Sequence, residues 1–138
     1  MLWGGKGDVA GASALAEKAI SALMKTGESV PYGYRLWAEL LDARGQKDVA
    51  SIWRGRAEAA DAPDWNAIPA LAADAEGHGE VDRAVGLLEE FVFIDSSRRA
   101  ARIPEETYRN LARLHALRGD AAASSRTLQK LETRRAQA

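Results

Sequence analysis

Four glycines each begin a similar short sequence segment along this 138-residue chain, and the recurrence of these segments limits the folds that the chain can adopt. They are Gly7, Gly45, Gly79 and Gly119, and a small residue follows each of them five positions later. The spacings between successive glycines are 38, 34 and 40 residues. A recurrence in this range indicates a stack of similar supersecondary units, each too small to bury its apolar face alone.

The similarity extends to the residues that precede the last three glycines. Large residues stand eleven and eight positions before each glycine, and an alanine stands seven positions before it. These residues are Tyr34, Ile68 and Tyr108, then Trp37, Leu71 and Leu111, and finally Ala38, Ala72 and Ala112. Spacings of three and four residues place such positions on one helix face, and a following glycine permits the positive φ that ends a helix. These sequence segments resemble the tetratricopeptide repeat (TPR), whose period is about 34 residues.

The resemblance implies an all-α fold, a right-handed α-solenoid of antiparallel helix pairs. It covers nearly the whole chain as a single TPR-like domain, 1–138, with a half repeat at 1–26 and repeats at about 31–64, 65–98 and 104–138. We expect seven helices, at about 8–26, 32–44, 47–61, 66–77, 80–95, 104–118 and 120–136. The first of these lacks a partner helix, which predicts either a fragment of a longer repeat protein or an N-terminal end covered by something else.

Composition supports closely packed helices. Alanine provides 28 residues, whereas aromatic residues make up only 7% of the chain, which argues against a β-sandwich or barrel. Alanine favours helices but fills a core poorly, so the helices must approach one another closely. We therefore expect Ala38, Ala72 and Ala84 to be buried where helices cross.

Some positions depart from the family pattern. Arg54 stands where the family places a large apolar residue, so Ile52 and Trp53 are expected to provide the packing contact instead.

Trp65 follows Pro63 and Asp64 in a loop and is expected to be partly exposed. Pro31 and Pro104 stand at expected first-turn positions, where a missing N–H costs nothing. Pro69 falls near the start of the helix expected at 66–77, and Asp64 or Asn66 can cap that helix.

The residues offer little material for catalysis or metal binding. Cysteine is absent, and the two histidines are His78 and His115. Neither is expected to have a second histidine or a carboxylate at ligand spacing on its own helix. His78 is expected to be a solvated turn residue and His115 a packed or half-buried helix residue. Lys6 follows two glycines but has the wrong spacing for a phosphate loop and no hydroxyl residue after it. We predict that the chain is not an enzyme and holds no cofactor or metal.

The net charge of −1 conceals an asymmetry. Residues 1–97 carry 9 Lys and Arg against 16 Asp and Glu, whereas residues 98–138 carry 10 against 4. The C-terminal basic residues are Arg98, Arg99, Arg102, Arg109, Arg113, Arg118, Arg126, Arg134 and Arg135. They form either a solvated face or a surface for an acidic peptide or a neighbouring subunit. The small net charge and the scarcity of interleaved aromatic residues argue against nucleic acid.

The resemblance implies recognition, because first helices of TPR pairs line a concave groove that holds a peptide or helix of a partner protein. The family's groove positions correspond here to Tyr32, Arg35, Glu39, Asp42, Asn66, Ala73, Glu76, Glu106, Arg109 and Arg113. This groove is acidic at its N-terminal end and basic at its C-terminal end, with apolar anchors expected near Tyr32. Leu36 and Ala70 replace asparagines of the family's carboxylate clamp, so no chaperone-tail clamp is expected. In the alternative interpretation these charges pair between adjacent repeats and bind nothing.

A second functional hypothesis is an assembly segment of a larger repeat protein that self-associates end to end. The apolar face of the expected helix 8–26 predicts homo-oligomers, because part of it lacks a covering helix.

No leader pattern is visible, and the longest strongly apolar stretch, residues 91–94, is too short to span a membrane. We therefore favour the cytoplasm, with the periplasm as the alternative if an anchored parent was cut. The excess of 14 Arg over 5 Lys suggests a GC-rich bacterial gene.

Overall fold

A computed structural model describes residues 31–97 and 103–136, together with Lys18, Ser21 and Ala22. Residues 31–97 and 103–136 contain six α-helices, a short 3-10 helix at Trp65–Ala67 and no strand. The α-helices are α1 (Pro31–Ala43), α2 (Lys47–Asp61), α3 (Ile68–Gly77), α4 (Val81–Ser97), α5 (Glu105–Leu117) and α6 (Ala121–Ala136). The all-α prediction is confirmed for these residues, and each of these helices begins and ends within two residues of its expected bounds. The helix expected at 8–26 lies outside the described residues.

The three repeat glycines within the described residues end their helices in the same way. Gly45, Gly79 and Gly119 have φ values of +80°, +79° and +85°. Each donates its N–H to the carbonyl three residues earlier, at 3.0 Å. The next residue donates to the carbonyl five residues earlier, at 2.8–2.9 Å. This is the Schellman arrangement that a glycine at the helix end predicts, and the three successive helix pairs share it.

The start of α3 shows how local sequence sets a helix boundary. Asp64 Oδ1 accepts a hydrogen bond from the backbone N–H of Asn66 at 3.0 Å, so Asp64 is the cap of the 3-10 helix. The α-helical hydrogen bonding begins at Ile68, and Pro69 stands in the first turn of α3. A proline is tolerated there because its missing N–H has no intrahelical partner.

Helix α1 packs against α2, α3 against α4, and α5 against α6, while α4 also contacts α5. The most extensive interhelical contact joins α2 to α4, the second helices of successive pairs. Gly55 and Gly86 allow this contact. A Cβ atom on Gly86 would lie 1.9 Å from the Ile52 carbonyl oxygen, and one on Gly55 would lie 2.5 Å from that of Arg83. The two helix backbones therefore touch directly.

The apolar core has two parts. The larger extends from α2 to α6 and includes Ile52, Ile68, Leu87, Leu111 and Leu131. The smaller lies between α1 and α2. Its buried members are Tyr34, Trp37, Ala38, Leu40, Leu41, Ala50 and Ala57. The sequence pattern thus places the large residues of each pair inward.

The small-residue prediction is confirmed, because Ala38, Ala72 and Ala84 have relative exposures of 0%, 1% and 0%. The predicted replacement for Arg54 is also confirmed. Ile52 is buried in the larger core and Trp53 packs against the smaller one.

Trp65 is half-buried, as expected, with its ring centroid 4.6 Å from that of Phe91. No helix within the described ranges is long and apolar enough to cross a membrane.

Candidate functional site

The residues expected to line a groove lie at the surface of the first helices and of the 3-10 helix before α3. Tyr32, Arg35, Glu39 and Asp42 belong to α1, Asn66 to the 3-10 helix, Ala73 and Glu76 to α3, and Glu106, Arg109 and Arg113 to α5. All of them are exposed except Asp42 and Glu76, which are partly exposed. Their surface location permits contact with a partner.

Helix α1 carries the apolar part of this surface. Tyr32 is 75% exposed and Leu36, one turn later, is 38% exposed. Residues four apart share a helix face, so the two side chains form one patch, here called the α1 apolar patch. Tyr34, between them, points inward and is 1% exposed. The patch is therefore the outer side of a helix whose inner side is fully packed.

Two charged residues of α1, Arg35 and Asp42, pair with α2. Arg35 Nη1 lies 2.7 Å from Asp61 Oδ2, and both side chains are about half-exposed. Asp42 accepts a hydrogen bond from Arg54, which lowers the pKa of the Asp42 carboxyl below its usual range. The arginine that departs from the family pattern thus neutralises one of the expected groove carboxylates.

The structure brings together one acidic and one basic member of the expected groove, Glu76 on α3 and Arg113 on α5. Two guanidinium nitrogens of Arg113 donate to the two carboxylate oxygens of Glu76 at 2.8 and 2.9 Å. The hydrogen bonds from Arg113 lower the pKa of Glu76, and the same contact raises the pKa of Arg113. For this pair, the alternative in which groove charges pair between adjacent repeats is the one observed.

The expected basic end of the groove is neutralised within the last helix pair. Arg109 Nη2 donates to Glu105 at 3.1 Å, and its Nη1 lies 3.7 Å from Glu106. Glu105 also accepts from Arg135 of α6 at 2.8 Å, and this hydrogen bond is the main reason that the pKa of Glu105 is lowered. A ligand carboxylate would have to compete with these internal carboxylates for Arg109.

Acidic and basic residues from the two oppositely charged regions of the sequence form ion pairs with each other. Residues 62–97 contain eight Asp and Glu and one basic residue, Arg83, and they precede the basic C-terminal region. Arg118 lies 2.8 Å from Asp82, and Arg134 lies 3.2 Å from Asp95. With the Glu76–Arg113 pair, these contacts join α5 and α6 to the acidic second pair. Arg98, Arg99 and Arg102 lie outside the described residues.

Two buried polar clusters were not expected from the sequence. In the first, Arg56 Nε donates to Glu90 Oε1 at 2.9 Å, with both side chains nearly inaccessible. The Arg56 guanidinium also lies 4.9 Å from the Trp53 ring centroid and 5.2 Å from those of Tyr34 and Phe93. Helix spacing could have indicated that Arg56 is buried, because Arg56 falls four residues after Ile52 on the buried face of α2. The cluster joins α1, α2 and α4.

The second cluster holds the start of the last helix pair. Asp95 accepts hydrogen bonds from the Ile103 N–H at 3.0 Å, from the Tyr108 hydroxyl and from Arg134 at 3.2 Å. The Arg134 guanidinium lies 5.2 Å from the centroid of the Tyr108 ring. Because a buried carboxylate is costly without such partners, Asp95 fixes the approach of α5 and α6 to α4.

The remaining candidates for chemistry are limited. His78 is exposed and His115 is buried, as predicted. The expectation that His78 has no carboxylate at helical spacing is wrong, because Asp74 stands four residues earlier and its Oδ1 lies 3.6 Å from His78 Nδ1. Within the residues that the structure describes, no three His, Cys, Asp or Glu side chains form a group that could hold a metal ion. A cleft of about 270 Å³ opens beside the α2–α4 crossing. Its charged lining includes Arg83 and Glu58, which pair with each other at 2.7 Å.

No family model matches the chain, and no curated protein or solved structure matches it either. The TPR resemblance therefore depends on the residues and spacings of the repeats themselves.

Proposed function

We propose that the chain is a TPR-like right-handed α-solenoid that serves as an interaction scaffold and binds a peptide or helix of a partner protein. The observation that carries this proposal is the α1 apolar patch, where Tyr32 is 75% exposed beside Leu36. Tyrosine is enriched at protein interfaces because it combines a large apolar ring with a hydroxyl group. In the TPR register this patch belongs to the groove-lining face of a first helix.

The repeated helix ends support the solenoid. Three successive helix pairs each turn through a left-handed glycine with the same two hydrogen bonds. The Glu76–Arg113 ion pair joins α3 to α5, which are consecutive first helices. Both features agree with a stack of similar pairs whose first helices contribute to one surface.

The charges on this surface are better suited to orienting a bound partner segment than to providing binding energy. An exposed ion pair contributes about 0.2–1 kcal/mol, and Asp42, Glu76, Arg109 and Arg113 already have internal partners. We therefore expect the α1 apolar patch to provide most of the binding energy. Charges along the groove would select a partner segment whose own charges run in the opposite order.

A displayed peptide library selected on the full chain tests the proposal. Peptides with an apolar anchor should be enriched, and the double variant Tyr32→Ser with Leu36→Ser should bind them at least about tenfold more weakly, the loss expected when anchor residues are truncated. Leu128→Ser on α6 is the matched control, since Leu128 is 43% exposed but lies on a second helix. Equal binding by the double variant and the wild type would refute the proposed site.

End-to-end self-association is the second candidate function. The observation that favours it is the presence of exposed apolar residues on both the first and last described helices, Tyr32 on α1 and Leu128 on α6. Sedimentation at low and high salt separates the two candidates. A self-associating chain should change mass with salt and concentration, and Leu128→Glu should abolish that change. A chain that stays monomeric throughout rules out the assembly function.

A further inference from the structure

His115 occupies an unusual position at the junction of the last three helices. It belongs to α5, is 3% exposed, and lies against α4, where its Nε2 is 3.7 Å from Glu89 Oε1. Its Nδ1 is buried without a hydrogen-bond partner. Its backbone carbonyl accepts the N–H of Asp120 at 2.9 Å, so the residue lies in the last turn of α5, next to the turn that leads to α6.

The site suits a neutral imidazole and not a charged one. A protonated ring has two N–H donors, but Nδ1 is buried without a hydrogen-bond partner and Nε2 lies 3.7 Å from Glu89 Oε1, beyond hydrogen-bonding distance. Adding a charge to a buried site without hydrogen-bond partners is costly. The larger apolar core joins α4, α5 and α6.

The surrounding charges oppose one another. Glu89 from α4 and Asp120 from the turn favour a protonated ring, whereas Arg118 and Arg126 disfavour it. Burial is the largest influence, and it lowers the pKa of His115 below its ordinary value. The closed arrangement of α4, α5 and α6 therefore binds the proton less readily than an open one does.

We propose that His115 is a proton-sensitive latch, and that its protonation makes α5 and α6 open from α4 more often in mildly acidic solution. This device is independent of the proposed partner binding. The first pair, α1 and α2, contains no histidine.

Proton linkage sets the direction and the size of the effect of pH on the opening of α5 and α6. An opened α5–α6 pair exposes His115, whose ordinary pKa is about 6.5, while the closed state excludes the proton. The latch is therefore fully stabilising above about pH 6.5 and weakens as the pH falls below that value. One pH unit below it, opening is favoured by at most about tenfold, because each pH unit changes the protonated-to-neutral ratio tenfold.

Hydrogen exchange of the full chain at pH 7.5 and 5.5 tests the proposal. The reference variant is His115→Gln, which does not titrate, and comparison at equal pH removes the intrinsic pH dependence of exchange. Between the two pH values, opening of Glu105–Leu117 should increase several-fold more in the wild type than in the variant, up to about tenfold. Amides of α2 (Lys47–Asp61) should show no such difference. The same pH response in wild type and variant, or an equal difference in α2, would overturn the latch.

An NMR titration of the wild type keeps the proposal testable if His115→Gln does not fold. The chain has two histidines, and exposed His78 is the internal reference. Hydrogen bonding to the Asp74 carbonyl raises the pKa of His78, so His78 should titrate above its ordinary value and His115 below it. A titration midpoint of His115 at or above about 6.5 contradicts the latch.

Discussion

The α2–α4 crossing predicts that adding a single methyl group to Gly86 destabilises the whole fold. The Cβ atom of Gly86→Ala would lie 1.9 Å from the Ile52 carbonyl oxygen and 2.9 Å from the Gly55 Cα atom. Neither neighbour is a flexible side-chain end. Relief requires the two backbones to separate by about 1 Å, and a gap of that size forfeits up to about half of each dispersion contact that it affects.

Two opposing effects set the magnitude. Replacing a helical glycine with alanine gains about 1 kcal/mol of helix propensity. Overpacking a close contact costs about 1–3 kcal/mol and occasionally more. Because α2 and α4 form the most extensive interhelical contact in the described residues, we place the cost at or above the upper end of this range. The expected net loss for Gly86→Ala is about 2–3 kcal/mol.

Urea denaturation followed by circular dichroism measures this loss, and the chain offers a matched control. Gly77 is also a helical glycine, at the end of α3, but a Cβ atom there would have no neighbour within 4 Å. Gly77→Ala should leave the free energy of unfolding unchanged or raise it by up to about 1 kcal/mol. If Gly86→Ala is as stable as Gly77→Ala, the helices do not cross at these glycines and the described packing is wrong.

Three further outcomes are expected from the same measurements and from NMR titration. Arg56→Met should cost about 3–5 kcal/mol because it leaves the Glu90 carboxylate buried without its guanidinium, and adding Glu90→Leu should recover most of that loss. Ala84→Leu should cost about 1–3 kcal/mol by overpacking a fully buried position, and a neutral effect would contradict its burial. Arg113→Gln should change stability little but raise the pKa of the Glu76 carboxyl, and an unchanged titration would contradict the ion pair.

The helices and their ends could be predicted because local sequence sets them. Gly45, Gly79 and Gly119 each supply the left-handed residue that ends a helix, and the sequence alone identifies them. Pro31 is the first residue of α1, whereas Pro104 lies one residue before α5, so the prediction at Pro104 was displaced by a single position. These features depend on residues within one turn of each other.

The way in which the helix pairs meet could not be predicted from spacing. A glycine inside a helix normally indicates weakness, and only the partner helix shows that Gly55 and Gly86 are needed for close approach. The ion pairs of the expected groove were missed for the same reason. Glu76 and Arg113 are 37 positions apart, and sequence spacing does not fix the contact between them. The helix register sets the exposure of Tyr32, whereas its position in a groove stays a prediction.

The most direct test of the proposed function is NMR mapping of a selected peptide on the isotope-labelled full chain. The largest amide shift changes should lie on α1 around Tyr32 and Leu36 and continue onto the exposed faces of α3 and α5. Changes confined to α6 around Leu128, or to the turns between paired helices, would contradict a recognition surface on the first helices.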